Sequence, residues 1–356
     1  MKNQIVKIRI IKFDYMKDKN MNDMMLEKNT KLNTPELTEE IAVSSQAFDL
    51  LKREISKVII GNEEIINFIC IAIICNGHIL LEGVPGVAKT TMIKAFSNAL
   101  GLVFKRIQFT PDLLPTDLIG TLIYNQKTQE FETKKGPIFA NIILADEINR
   151  ASAKVQSALL ECMQEHQVTI GSQTYKLDEP FFVFATQNPV EQEGTYQLPE
   201  AQLDRFMFKL MVNYPSIQEE KKIVTNIGLH NVINQVLSKE NIFKAQELVN
   251  SIYLDEKILD YIVSIVAATR DPEKFNIKNI KEYISYGVSP RATIALYQAS
   301  KAQAFLKHRH FVIPDDVKFI AFAIIRHRLI LSYEAQADNI NADDIVKKIL
   351  ETLPSP

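Results

Sequence analysis

The sequence predicts an α/β protein, a P-loop core on a five-stranded parallel sheet followed by an all-helical domain. Three observations carry this reading. A short apolar segment, residues 78–82, runs into the loop Gly83-Val84-Pro85-Gly86-Val87-Ala88-Lys89-Thr90 and then into a helical pattern over residues 91–100. A second, largely aliphatic segment, Asn141-Ile-Ile-Leu-Ala-Asp146-Glu147, ends in two adjacent carboxylates. Beyond Tyr214-Pro215-Ser216 the periodicity is helical throughout.

Composition sets the frame. The 356 residues are enough for one large or two moderate domains, and 46% hydrophobic residues suffice for real cores. Lys plus Arg (41) nearly balances Asp plus Glu (43), so no global field points to nucleic acid. The three cysteines, Cys70, Cys75 and Cys162, lack metal-ligand spacing and fit buried thiols in a reducing cytosol. His308 and His310 lie in a Lys-His-Arg-His tract at a helix end, which reads as a solvated turn. No serine-centred nucleophile elbow is present.

In chain order, residues 1–40 read as a flexible extension. Residues 5–13 alternate apolar and basic side chains as a lone strand would, and a polar, Met-rich run follows. The uninterrupted apolar region of a signal peptide is missing, and Met16, Met21, Met24 or Met25 is an alternative start. Residues 46–60 then read as a helix. Residues 63–75 form a second helix, very apolar but interrupted by Asn67 and shorter than the ~20 residues of a membrane span.

The loop at 83–90 has the context that a phosphate cradle requires. Its amides and the helix N-terminus behind it converge on an anion, Lys89 reaches the β- and γ-phosphates, and Thr90 offers its hydroxyl to magnesium. Ala88 stands where the general pattern has glycine, so the backbone there must avoid a glycine-only conformation and leave room for a methyl group. Residues 104–109 form the next strand, a turn-rich segment follows at 110–117, and hairpin arms lie near 121–124 and 130–133.

The strand at 141–147 delivers its acids at its C-terminal end. Asp146 there is suited to magnesium and Glu147 to polarising an attacking water. The helix at 153–165 presents Val155, Ala158, Leu159 and Cys162 to the core, and a second hairpin turns at Gly171-Ser172. A fourth strand, 181–186, ends in Gln187-Asn188-Pro189, where Asn188 is in place to touch the γ-phosphate or the water. Arg205 precedes the fifth strand, 207–212. Helices follow near 217–227, 242–251, 255–269, 291–305, 314–328 and 342–350. Ser289-Pro290-Arg291 places Arg291 in a first helical turn.

From about residue 45 onward the chain resembles the MoxR family of AAA+ ATPases. The strings that carry the likeness include His78-Ile-Leu-Leu-Glu-Gly-Val-Pro-Gly-Val-Ala-Lys-Thr90, Gly136-Pro-Ile-Phe-Ala-Asn141, Leu144-Ala-Asp-Glu-Ile-Asn-Arg150, Leu198-Pro-Glu-Ala-Gln-Leu-Asp-Arg-Phe206 and Ser289-Pro-Arg-Ala292. The resemblance includes the alanine at 88.

It implies an AAA+ core over residues 41–214, with insertions near 121–133 and 168–177, and a helical lid over 215–356. It assigns Gly83 to Thr90, with Thr91, to nucleotide binding, Lys89 and Thr90 to Walker A, and Asp146 and Glu147 to Walker B. Asn188 takes the place of sensor 1 and Arg291 that of sensor 2. Arg205 resembles an arginine finger given to the neighbouring subunit, Arg150 also faces that interface, and Ile60 and Gly61 flank adenine. Implied with these are ATP, Mg2+, a homo-oligomeric ring, usually hexameric, and a cytoplasmic location. A client protein and a partner with a von Willebrand factor A domain complete the expectation. A nucleic-acid motor and a small-molecule kinase are the alternative classes.

Overall fold

The computed structural model describes residues 35–188, 196–225 and 232–356. The strand expected at 5–13 lies outside them. The first helix, α1 (Pro35–Ile55), carries Glu36 in its first turn and Lys52 and Arg53 in its last, as the helix dipole favours. It starts at Pro35 rather than at Gln46, so residues 35–40 are helical. Leu37 and Ile41 are the only large apolar residues in its first turns, and the periodicity there is correspondingly weak.

Helix α2 (Glu63–Ile74) is buried from Ile65 to Ile74 except at Asn67. Asn67 has a structural use. Its Oδ1 accepts from Lys52 Nζ at 2.7 Å, and its Nδ2 donates to Gln303 Oε1 at 2.8 Å. No described helix is long and apolar enough to cross a membrane.

The core continues with β1 (Ile79–Glu82), α3 (Lys89–Leu100), β2 (Phe104–Gln108), the short helix α4 (Pro115–Ile119) and the antiparallel hairpin β3 (Gly120–Asn125) and β4 (Glu130–Lys135). Next come β5 (Ile142–Asp146), α5 (Ala153–Glu165), a second hairpin of β6 (Gln167–Ile170) and β7 (Gln173–Lys176), then β8 (Phe182–Gln187), α6 (Glu200–Leu203) and β9 (Phe208–Met211). The sheet order is β2-β5-β8-β1-β9, and every pairing is parallel. The register sets Gln108 beside Asp146 and Glu82 beside Gln187, so the strand ends form one row.

Alternation along the strands divides the core in two. Ile79, Leu81, Leu144 and Phe184 pack toward α1, α2 and α3, whereas Leu80, Ile143, Val183 and Ala185 pack toward α5 with Val155 and Leu159. Two apolar faces are what a parallel sheet covered on both sides requires. Ala158, expected among the core residues of α5, is only half-buried.

The second region comprises α7 (Ile217–Thr225), α8 (Lys239–Asn250), α9 (Glu256–Arg270), α10 (Pro290–Leu306), α11 (Pro314–Ile325), α12 (Tyr333–Ala337) and α13 (Ala342–Thr352). It is helical as expected, apart from a ribbon of β10 (Ile284–Tyr286) against β11 (Ile330–Leu331). Strands of two and three residues are too short to register as periodicity. Phe319 of α11 stacks on Phe68 of α2 with ring centroids 4.9 Å apart, so one apolar cluster runs from the sheet into this region.

The turn at His308 also differs from expectation. Its ring hydrogen-bonds Ser45 Oγ at 2.6 Å and reaches Asp49 at 2.8 Å, fastening the end of α10 to α1. This contact joins residues far apart in sequence, and the Lys-His-Arg-His tract carries no sign of it.

His78, just before β1, is buried in its neutral form. Nε2 donates to Met163 O and Nδ1 accepts from Val183 N, each at 3.1 Å, and burial lowers its pKa from 6.5 to about 4. An unfolded chain takes up a proton between those values. The His78 contribution is therefore complete above pH 6.5 and is lost as the pH falls toward 4, by about 3 kcal/mol. Urea unfolding across this range should show wild type losing more stability than His78→Gln by about that amount.

Candidate active site

The loop after β1 is shaped by close backbone approach. A Cβ on Gly83 would stand 2.4 Å from Val212 O, so no side chain fits between β1 and the end of β9. Gly86 has φ +85 and open space around it. Ala88 has φ 58 and ψ 22, the left-handed region that glycine favours but an L residue enters at a cost of about 1–2 kcal/mol. The alanine thus keeps a glycine-like turn while leaving room for its methyl group. Val87 is buried in the core, so the loop contributes mainly backbone to the space above it.

Helix α3 begins at Lys89, and its first amides lack partners within the helix, which makes its N-terminus an anion site. Lys89 Nζ donates to Gly83 O at 2.5 Å. Burial lowers the pKa of Lys89, and the charges of Asp146, Glu147 and Glu82 oppose that shift.

The acids at the end of β5 are held from both neighbouring strands. From β8, Thr186 Oγ1 donates to Asp146 Oδ1 at 2.6 Å and accepts from Glu147 N at 2.8 Å. Glu147 itself has φ 56, so the chain turns sharply here and its carboxylate leaves the strand direction. From β2, Arg106 donates to Asp146 Oδ2 through Nε at 2.9 Å and Nη2 at 2.6 Å. Nη2 also reaches Gln108 Oε1 at 2.8 Å, and Gln108 Nε2 donates to Glu147 Oε2 at 2.8 Å. Arg150 Nη1 pairs with the same Glu147 oxygen at 3.1 Å.

These groups meet in one cavity of about 410 Å³, lined by Pro85, Gly86, Ala88, Lys89, Thr90, Thr91, Arg106, Asp146, Glu147, Thr186 and Asn188. Helix-start amides and a lysine suit a polyphosphate, and the Thr90 hydroxyl and Asp146 carboxylate are the hard oxygen ligands that magnesium takes. The donor set therefore fits Mg2+ with a nucleoside triphosphate. Glu147 lines the same cavity, and a carboxylate there can accept a proton from water.

Three residues in this cluster escaped the sequence reading: Arg106, Gln108 and Thr186. For the first two a signal exists, because Arg106 and Gln108 are polar at a spacing of two on a strand, and so share a face. For Thr186 only the parallel register, which sets β8 alongside β5, brings its hydroxyl to Asp146 and Glu147.

Arg291, expected at the site, does not line this cavity, and neither does Arg205, which was expected to reach the neighbouring subunit's site. Arg291 Nη1 lies 3.8 Å from Asp204 Oδ2, and Arg205 follows Asp204 in the chain. Among the described residues, Arg205 Nε is buried without a hydrogen-bond partner. Ile60 and Gly61 also lie outside it. Gly61 packs against the Glu219 carboxylate, and its neighbour Asn62 lines a second cavity, of about 620 Å³, bounded by Tyr214, Phe319 and Arg326.

Comparison with known proteins gives a consistent picture. Residues 78–208 match the ATPase family associated with various cellular activities (AAA), and residues 277–349 match the AAA lid domain. The chaperone MoxR1 of Mycobacterium tuberculosis is 45% identical over 304 residues, covering 85% of this chain and 81% of that protein. The YeaC protein of Bacillus subtilis is 48% identical over 305 residues, covering 85% and 92%. The crystal structure of a protein from Cytophaga hutchinsonii, named as a candidate ATPase, is 46% identical with a TM-score of 0.84, covering 94% of this chain and 99% of that one.

The Thr186 hydroxyl provides a direct test of the geometry. Thr186→Val keeps the shape but leaves the Glu147 amide and one Asp146 oxygen unpaired, which should lower stability by about 1–3 kcal/mol in denaturant unfolding. Thr186→Ser should restore most of it.

Proposed function

Since this chain belongs to the MoxR family of AAA+ ATPases, we propose that it hydrolyses ATP with Mg2+ as a ring, and uses that reaction to remodel or mature a client protein complex. The observation that supports the chemistry best is the single cavity that collects Lys89, Thr90, Asp146, Glu147 and Asn188. In this reading Lys89 and the amides of residues 83–91 hold the phosphates. Thr90 and Asp146 hold the Mg2+ ion, which supplies charge neutralisation on the phosphate oxygens. Glu147 orients and deprotonates the attacking water, and Asn188 senses the terminal phosphate. Ile60 and Gly61 flank the base.

Arg205 belongs to the neighbour's site. It lies outside its own cavity, and its buried, unpartnered Nε is consistent with a guanidinium directed at a group on another chain. Arg291 shares Asp204 with that segment, which supports assigning it to the same interface. The relative named as a chaperone supports a protein client. So does the β3–β4 hairpin, where Tyr124 and Phe131 stack edge-on and stay 50% and 68% exposed. A partner with a von Willebrand factor A domain rests on the family resemblance, and a cytoplasmic setting on the free cysteines.

The decisive experiment mixes two inactive chains. Arg205→Ala and Glu147→Gln alone should each lower turnover by about 10³-fold or more. Mixed, they should regain part of it, because the first keeps an intact base and the second an intact finger. Mixed rings that assemble yet stay inactive would remove Arg205 from the reaction.

A further inference from the structure

The edge strand β9 and the segment before it are gripped by three consecutive residues that follow α11. Arg326 Nη1 donates to Lys209 O at 3.3 Å, His327 Nε2 bonds Phe206 O at 3.0 Å, and Arg328 spans the segment between. Arg328 has a side chain only 3% exposed and uses all five of its N–H groups. Nε reaches Asp204 Oδ1 at 2.7 Å, and Nη2 reaches Phe206 O at 2.7 Å and Asp204 O at 3.3 Å. Nη1 reaches Met207 O at 3.1 Å and, within its own segment, Ile324 O. The carbonyls on both sides of Arg205 are thus fixed by one side chain from the lid.

Asp204 is the other half of the clamp. Its Oδ2 accepts from Ser289 Oγ at 2.9 Å and faces Arg291. Two lid segments, the start of α10 and the end of α11, therefore meet on the residue that precedes Arg205. Burial of this kind is a poor source of stability, because the desolvation of both charges offsets their attraction and an apolar contact would serve as well. A planar fork that saturates five acceptors gives direction instead.

We propose that Arg328, acting through Asp204 and the carbonyls around it, is a positioning residue for Arg205. It sets the angle at which the Arg205 guanidinium leaves its own subunit toward the nucleotide of the next. Because Arg328 belongs to the lid, a lid displacement in one subunit changes hydrolysis in its neighbour. The inference rests on the reading of Arg205 as a finger acting across the interface.

The pattern of rescue in mixed rings tests this. Arg328→Lys keeps a cation beside Asp204 but loses the fork, and its own Lys89, Asp146 and Glu147 are untouched. Alone it should hydrolyse ATP about 100-fold more slowly than wild type, the effect of a roughly 1 Å misplacement, while binding nucleotide as tightly. Adding Glu147→Gln chains, which carry a well-placed finger, should restore activity. Adding Arg205→Ala chains should not. Asp204→Asn, which keeps the backbone contacts and the shape, should show the same asymmetry if Arg328→Lys does not fold.

Wild-type activity in both variants, or loss that neither partner or both partners rescue, would overturn the positioning role. If the Arg205→Ala and Glu147→Gln pair itself fails to complement, the finger reading falls and this inference falls with it.

Discussion

Backbone hydrogen bonding in parallel register between β5, β8 and β1 is the interaction on which the site depends. Because the three strands run the same way and end together, Asp146, Thr186, Gln187 and Glu82 arrive at one rim, where the loop from β1 turns into α3. No side chain has to reach far. Thr186 needs only its own hydroxyl to tie Asp146 and the Glu147 amide together, and β2 adds Arg106 and Gln108 on the other flank. The strands in turn require two apolar layers, which α1 to α3 and α5 provide.

A second set of contacts governs how the core meets the lid. The apolar part is continuous, from Phe208 and Phe68 through Phe319. The polar part is concentrated on β9 and the segment before it, where Arg326, His327 and Arg328 occupy backbone carbonyls. Burial holds His327 neutral, with the charge of Arg328 as a further cause, whereas Asp204 helps Arg328 keep its proton against burial. Charge at this junction is paired, Arg328 and Arg291 with Asp204 and Arg326 with Asp343, around one neutral histidine.

Much of this was legible in the sequence because the informative signals were local. The P-loop reads from eight successive residues, the acidic strand from seven, and the helix at 290 from Ser289-Pro290. What was not legible is long-range. Thr186 means nothing until β8 is aligned with β5, and Arg328 looks like a surface residue at a helix end until Asp204 is beside it. His308 is the same case, since its partners Ser45 and Asp49 lie in the first described helix. Local weakness explains the other differences: the first turns of α1 offer few apolar residues, and β10 and β11 are too brief to show a period.

The covering of β9 also bears on how the chain is made. An edge strand without a neighbour is a template for pairing with other chains, and proteins that leave one bare tend to aggregate. Here Arg326, which donates to Lys209 O of β9, comes from the far side of α11, so during synthesis β9 emerges well before that contact can form. A nascent or truncated core carries an adhesive edge through that interval. The lid takes up its Lys209 carbonyl, so a core made without the lid should be the more prone to aggregate.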